Sequence, residues 1–367
     1  MIESFNHAKN FLDKCLKGIL INDHIDKPPK NPKISAIITL HNSQRTVSRA
    51  LKSVQNQNIT DIEIILINDF SNDNTLSIIK EIGKSDPRIR IINNKKNMGT
   101  YFSRSIGVLC SKGKYIFHID NDDMLLDEDV FSTITDIAEK GNFDLISFNV
   151  IYSFGGTNIF TNRITDKLTS SHRSNQVLFQ PELAQYPFRP GNTLGNYYII
   201  DSYIWNKCVK TKIYKTMLKK VGKNRYMRYM KFEEDRTDVY ALFNTAESAK
   251  YLSKFGYLLI KTSGSSTNSI HAENEIFICI LYFVDISIDF TRKTFENSKL
   301  LIYLITFLMK LPEFKSVYNS NGYNKKLINS CIDRILKNKY ILAEYKREII
   351  KRALNLIPSN TQVNLVN

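Results

Sequence analysis

Between residues 34 and 151 the chain repeats one pattern. A short, largely aliphatic run is followed by a stretch with apolar residues at helical spacing. The runs are residues 34–40, 61–68, 88–92, 114–119 and 144–151. Between them lie residues 45–57, with Val47, Ala50, Leu51 and Val54 along one face, then 71–82, 101–110 and 128–139. Ser71 or Asn72 is the expected N-cap of the 71–82 helix. Strands that are apolar almost throughout, rather than at alternate positions, belong to a sheet covered on both faces. Regular alternation with helices makes that sheet mostly parallel. The expectation is therefore an α/β, Rossmann-like domain with helices on both faces of the sheet. Ligands of such sheets bind beyond the carboxyl ends of the strands.

The flanks read differently. Phe5, Ala8, Phe11, Leu12, Cys15, Leu16, Ile19 and Leu20 form one stripe, so residues 2–20 are expected as an amphipathic helix. The proline-rich segment 27–33 reads as a linker. Residues 152–200 are polar and carry Gly155-Gly156, Pro181, Pro187 and Pro190, a pattern of loops and short strands. Residues 204–221 and 231–246 read as helices and 251–262 as a strand. From about residue 270 the signal is helical, with Leu327, Ile328, Cys331, Ile332, Ile335 and Leu336 in one stripe. The expected division is 1–32 as helix and linker, 33–270 as the α/β domain in halves 33–150 and 151–270, and 271–367 as a helical C-terminal region.

A chain of 367 residues with 43% hydrophobic content can bury a sizeable core. Its formal net charge of +15 favours anionic partners such as nucleotide phosphates or an acidic membrane surface. A lysine-rich composition gives the same number without any ligand. Nothing besides charge points to nucleic acid, and no nucleic-acid partner is expected. Five scattered cysteines with no CxxC pair argue against a disulfide framework or a zinc site and for a reducing compartment. The N-terminus lacks the basic and apolar regions of a signal peptide. The runs 276–284 and 300–309 fall short of a membrane span and read as buried helices. The expected location is cytoplasmic, with a peripheral contact through basic C-terminal helices at the cytoplasmic face of a membrane as the variant.

The chemistry-bearing residues stand where strands end. His118-Ile-Asp-Asn-Asp-Asp123 closes the fourth run. Two carboxylates one residue apart can face a single cation from a tight turn. Hard oxygen ligands suit Mg²⁺ or Mn²⁺, ions that also hold a diphosphate. Alone the motif decides little, because Asp and Asn favour turns for local reasons. Asp69 ends the second run, where a carboxylate either accepts a nucleobase N–H or caps the next helix. Thr39 ends the first, lining the same cleft or merely turning the chain. Lys95, Lys96 and Lys112 either add positive potential near a diphosphate or are solvated surface charge.

In order, Ile34-Ser-Ala-Ile-Ile-Thr-Leu-His-Asn42, Ile65-Leu-Ile-Asn-Asp69, Asn97-Met-Gly99, Arg104, Gly113-Lys-Tyr-Ile116 and Asp120-Asn-Asp-Asp123 resemble the successive blocks of family 2 glycosyltransferases with the GT-A fold. The resemblance covers about residues 33–150. It implies a nucleotide-sugar donor, with a UDP-sugar favoured, a Mn²⁺ or Mg²⁺ ion, and transfer with inversion. It places Thr39, Asp69 and Arg104 in or near the nucleotide cleft and makes Asp120 and Asp122 the metal-side pair. Ser105 stands where the family often has Asn after the Arg. Further on, Trp205-Asn-Lys-Cys208 resembles a segment following the acceptor loop, and Glu233-Glu-Asp235 resembles the family's Glu-Asp motif. Asp235, or Glu234, is then the general base that inverting transfer requires. An acidic helix N-terminus is also favoured by the helix dipole without any catalysis. Gly264-Ser-Ser-Thr-Asn-Ser269 resembles a segment able to close over a diphosphate, or is a polar loop. The acceptor, whether glycan, lipid-linked or protein, is open. A nucleotidyltransferase is the competing enzyme class, but residues 39–45 contain no glycine for a phosphate loop. A carbohydrate-binding pseudoenzyme is the non-catalytic alternative.

Overall fold

Isoleucine-rich strands buried on both faces organise the chain. The computed structural model describes residues 20–23, 29–154, 177–180, 188–190, 197–199, 203–230, 234–261, 273–290, 322–338, 343 and 346–347. In chain order these form β1 (Leu20–Asp23), β2 (Ile34–Leu40), α1 (Val47–Gln55), β3 (Ile62–Asn68), α2 (Thr75–Ser85), β4 (Ile89–Asn94), α3 (Thr100–Cys110), β5 (Tyr115–Asp120), β6 (Met124–Leu125), α4 (Val130–Lys140) and β7 (Leu145–Phe154). There follow β8 (Val177–Phe179), β9 (Phe188–Pro190), β10 (Tyr197–Ile199), β11 (Lys207–Lys210), α5 (Thr211–Val221), α6 (Lys223–Tyr226), α7 (Glu234–Phe243), β12 (Ser248–Lys261), α8 (Glu273–Phe290) and α9 (Gly322–Lys337). The chain divides into two compact units. The first is Met1–Val177, Ile204–Tyr229 and Ser248–Ser265; the second is Leu178–Tyr203, Met230–Glu247 and Ser266–Asn367.

The first unit is built on a sheet with strand order β1-β4-β3-β2-β5-β11-β7-β12-β6. Strands β4, β3, β2 and β5 run parallel. The chain steps outward from β2 through β3 to β4, then returns to lay β5 on the other side of β2. Such a reversal of strand order opens a crevice at the carboxyl ends of the two strands. Register places Thr39 of β2 opposite Asp120 of β5 there.

Every residue of β2 and β3 is buried, which is why their sequences do not alternate. Helix α1 buries Val47, Ala50, Leu51 and Val54, the stripe read from sequence. Helix α3 lies tight on the sheet: a Cβ on Gly107 would come within 2.7 Å of Ile37 Cγ2 and 2.9 Å of Ile67 Cδ1. At the opposite strand ends, buried Glu63 accepts hydrogen bonds from Arg90 Nη1 (2.9 Å), Ser35 Oγ and Gly113 N (3.0 Å). The Glu63 charge is thus fully partnered, as burial demands.

The mostly parallel sheet with helices is present, with three departures from the sequence reading. Residues 204–221 are not one helix, because Lys207–Lys210 form β11, antiparallel to both β5 and β7. Cys208 and Val209 are buried in that strand, so sheet pairing overrides a weak helical pattern. Residues 20–23 are a strand antiparallel to β4, covering the sheet edge where the end of a helix and a linker were expected. Helix α2 starts at Thr75, and Asp73 Oδ1, not Ser71 or Asn72, accepts the Thr75 N–H at 2.9 Å. Residues 2–19 of the expected N-terminal helix, the 300–309 helix and the 264–269 segment lie outside the described residues.

In the second unit Tyr240 of α7 meets Phe283 of α8 edge-on, with ring centroids 5.9 Å apart at 87°. Helix α9 buries Leu327, Ile328, Cys331, Ile332 and Ile335. Arg334 of α9 pairs with Asp285 and Asp289 of α8 and donates to the Asp285 carbonyl at 3.1 Å. Asp285, the charge that interrupts an apolar stretch, is buried and partnered. No helix among the described residues is long and apolar enough to cross a membrane.

Candidate functional site

The carboxyl ends of β2, β3 and β5 bring together Thr39, Asp69, Arg104, Asp120 and Asp122. Asp69 follows β3 and is 4% exposed. Its Oδ1 accepts from Asn94 Nδ2 and Met98 N, and its Oδ2 from Gly99 N, each at 2.8 Å. Gly99 has φ 84°, a conformation that suits glycine and turns its N–H onto the carboxylate as α3 begins. The Asp69 charge therefore sits at a helix N-terminus, where the dipole favours it. Each carboxylate oxygen has two acceptor sites, so Oδ2 keeps one for a further donor.

The loops after β2 and β3 are laced together. Asn42 N donates to Ser71 Oγ at 3.0 Å and Asn72 N to Asn42 Oδ1 at 2.8 Å. Ser43 N donates to Thr75 Oγ1 at 2.7 Å. The His41 Nε2 faces the amide nitrogens of Asn97 (3.3 Å) and Asn42 (3.4 Å), which donate. The ring proton is then on Nδ1, which donates to the Asp69 carbonyl at 2.8 Å. Phe70, half exposed, holds φ 58° within this lacing.

The acidic turn has a distinct partner for each member. Arg104 of α3, itself buried, donates from Nη2 to Asp120 Oδ1 at 3.0 Å. Asn121 Nδ2 donates to the Thr39 carbonyl at 3.1 Å, tying the turn to β2. Arg49 of α1 donates to the Asp122 carbonyl. Asp123 N closes the turn on the Asp120 carbonyl at 3.2 Å. The Asp123 side chain faces inward, where Oδ2 accepts from the Tyr257 hydroxyl (2.9 Å) and Oδ1 from Ile260 N (2.8 Å).

Electrostatics separate these carboxyls. Burial first, and then the Asp120 charge, raise Asp122 to about 6. The same two causes, followed by Asp122, raise Asp123 to about 8. Beneath them on β5, His118 is buried and packs edge-on against Tyr214, with centroids 5.5 Å apart. Burial, then the Arg104 charge, hold it well below the usual imidazole range, so it stays neutral.

Among the described residues no group of three or more His, Cys, Asp or Glu side chains stands ready to hold a metal ion. Mg²⁺ and Mn²⁺ in phosphate sites need only one or two carboxylates, the rest coming from phosphates and water. Asp122 and the Asp120 oxygen not engaged by Arg104 fit that minimum.

Glu234 and Asp235 lie in the second unit, half-buried in the first turn of α7; Glu233 lies outside the described residues. Exposed Lys112 precedes β5, at the strand end opposite Asp120, and so cannot add potential near the acidic turn. Lys95 and Lys96 are exposed after β4. The sequence reading did not single out Tyr257, Arg49 or the tautomer of His41. Only Asn121 carried a local signal, as the middle of the acidic turn.

Residues 35–199 match the family model Glycosyl transferase family 2. The uncharacterized glycosyltransferase EpsJ of Bacillus subtilis is 26% identical over 239 residues, 64% of this chain and 63% of EpsJ. The cholesterol galactosyltransferase of Borreliella burgdorferi is 25% identical over 242 residues, 65% of this chain and 63% of that enzyme. Among solved structures, S. aureus TarS 1–349 in complex with UDP-GlcNAc matches with a TM-score of 0.57 at 12% identity, over 88% of this chain and 85% of that one. Residues 35–199 thus form a glycosyltransferase family 2 domain, and the fold is GT-A. It spans 63% of the length of each of the two relatives.

Proposed function

We propose that this protein transfers a sugar from a nucleoside-diphosphate donor, a UDP-sugar by preference, to a hydroxyl acceptor with inversion at the anomeric carbon. One observation carries the reading: the strand reversal between β2 and β5 gathers Asp69, the Arg104–Asp120 pair and Asp122 at one sheet end. Asp69 accepts a nucleobase N–H on its remaining Oδ2 site. Asp122 and Asp120 hold a Mn²⁺ or Mg²⁺ ion, while Arg104 fixes Asp120 from behind. When bound, that ion neutralises charge on the departing diphosphate. Asp235, or Glu234, takes the acceptor hydroxyl proton as that oxygen bonds to the anomeric carbon. The bond to the diphosphate breaks on the opposite face, and its electron pair leaves with the nucleotide. The assignment of the base rests on the Glu-Asp motif.

TarS in complex with UDP-GlcNAc supports the donor class, and the name of the Borreliella relative supports a lipid hydroxyl as one acceptor class. A glycan or protein acceptor fits the same chemistry. A panel of UDP-, GDP- and dTDP-sugars, each with and without Mn²⁺, tests the reading by thermal shift and by sugar release or transfer. A UDP-sugar with Mn²⁺ should raise Tm by mass action, and Asp122→Ala or Asp235→Ala should abolish transfer in folded protein. Full turnover in either variant overturns that residue's role. Nucleotidyl transfer in place of sugar transfer establishes the competing enzyme class, and sugar binding without turnover establishes the pseudoenzyme.

A further inference from the structure

The acidic turn packs Asp120, Asp122 and Asp123 into four residues, and their mutual repulsion works against any fixed geometry. From the far side Asp123 is held by the Ile260 N–H at 2.8 Å and by one hydroxyl, and only the hydroxyl also reaches Asp120. Tyr257 of β12 is fully buried, and its ring stacks on Trp205 with centroids 4.8 Å apart at 18°. Its hydroxyl donates to Asp123 Oδ2 at 2.9 Å and accepts the Asp120 N–H at 3.0 Å. One oxygen therefore ties both ends of the turn. Strand β12 is irregular just before it: its register against β7 shifts between Leu252 and Phe255 and again between Phe255 and Tyr257. Bulges of this kind re-aim a side chain, and they concentrate beside active sites.

We propose that Tyr257 is a positioning residue of the donor site, aimed by the β12 irregularity to hold Asp123 inward so that Asp122 and Asp120 keep their outward stance. The inference rests on the reading of Asp120 and Asp122 as the donor-side pair. Tyr257→Phe keeps the ring and its stack on Trp205 and removes only the bridge. Residues that orient metal ligands from behind typically cost about 10–100-fold in affinity or activity when lost. The same range is expected here for UDP–Mn²⁺ affinity by calorimetry and for kcat, with acceptor KM little changed.

Ile79→Val, at a buried position of helix α2 away from the turn, serves as a control of comparable small destabilisation. It should bind UDP–Mn²⁺ like wild type. Asp123→Asn provides a second route, and Tyr257→Phe with Asp123→Asn should lose no more affinity than the worse single variant, because both act through one bridge. Wild-type affinity in Tyr257→Phe, or strict additivity of the pair, overturns the proposal. If Asp122→Ala abolishes UDP–Mn²⁺ binding while Tyr257→Phe leaves it intact, only the role of Tyr257 fails. If Asp122→Ala also binds as wild type, the donor-pair reading fails and takes Tyr257 with it.

Discussion

Asp122 carries opposing demands on one side chain. Burial and the neighbouring Asp120 charge raise it to about 6 from an ordinary 3.8, so the native state binds this proton more tightly than the unfolded chain does. Stability from this group is therefore greatest below its unfolded value, declines as pH rises toward 6, and is fully lost above it. The ionisation penalty is on the order of 1–3 kcal/mol. Asp122→Asn should raise Tm at about pH 7.5 and leave it nearly unchanged at about pH 3, where the carboxyl is protonated in both the native and the unfolded chain. The same substitution should remove sugar transfer. An equal Tm gain at both pH values would show that the effect is not ionisation.

Among the elements, α3 depends most on one small residue. It supplies Arg104 to Asp120 from its middle, and the Gly99 N–H before its first turn caps Asp69. Its approach to β2 and β3 is limited by Gly107, whose missing side chain leaves room for Ile37 and Ile67. Alanine is the better helix former by about 1 kcal/mol. Overpacking a tight core costs about 1–3 kcal/mol, and at 2.7 Å from Ile37 Cγ2 the clash should win. Gly107→Ala should lower Tm and also weaken donor binding, because a displaced α3 carries Arg104 with it. A raised Tm with unchanged binding would mean that α3 has slack against the sheet.

At the scale of the whole molecule, charge is the property to test. A formal net charge of +15 would suit the proposed diphosphate donor and a contact with an anionic lipid surface, near which each basic residue is worth about 1 kcal/mol. Vesicles containing phosphatidylglycerol should retain the protein at low salt and release it near about 0.5 M, where screening shortens the reach of each charge to a few ångströms. Neutral phosphatidylcholine vesicles should not retain it. Duplex DNA should not retain it at physiological salt, in contrast to a protein that neutralises many phosphates. Retention on neutral vesicles would point to apolar insertion instead of charge.

The sequence by itself determined the parts whose causes are local. Runs such as residues 34–40 and 62–68 are apolar at nearly every position because both faces are covered, and the α1 stripe follows from helical spacing. Asp69 and Asp120-Asn-Asp-Asp123 follow strand ends, so their place at the sheet's carboxyl edge was legible once the strands were. The tertiary structure alone decided what depends on partners far along the chain. Lys207–Lys210 became a strand because β5 and β7 offered hydrogen bonds on both sides, an energy no window around 207 contains. Tyr257 acquired its partners because β12 returns to the acidic turn, from residues separated in sequence by 134 and 137 positions. Sequence thus identified the carboxylates. Which stays partly exposed, which pairs with arginine and which turns inward was set by long-range packing, since burial and neighbouring charge exist only in the folded chain.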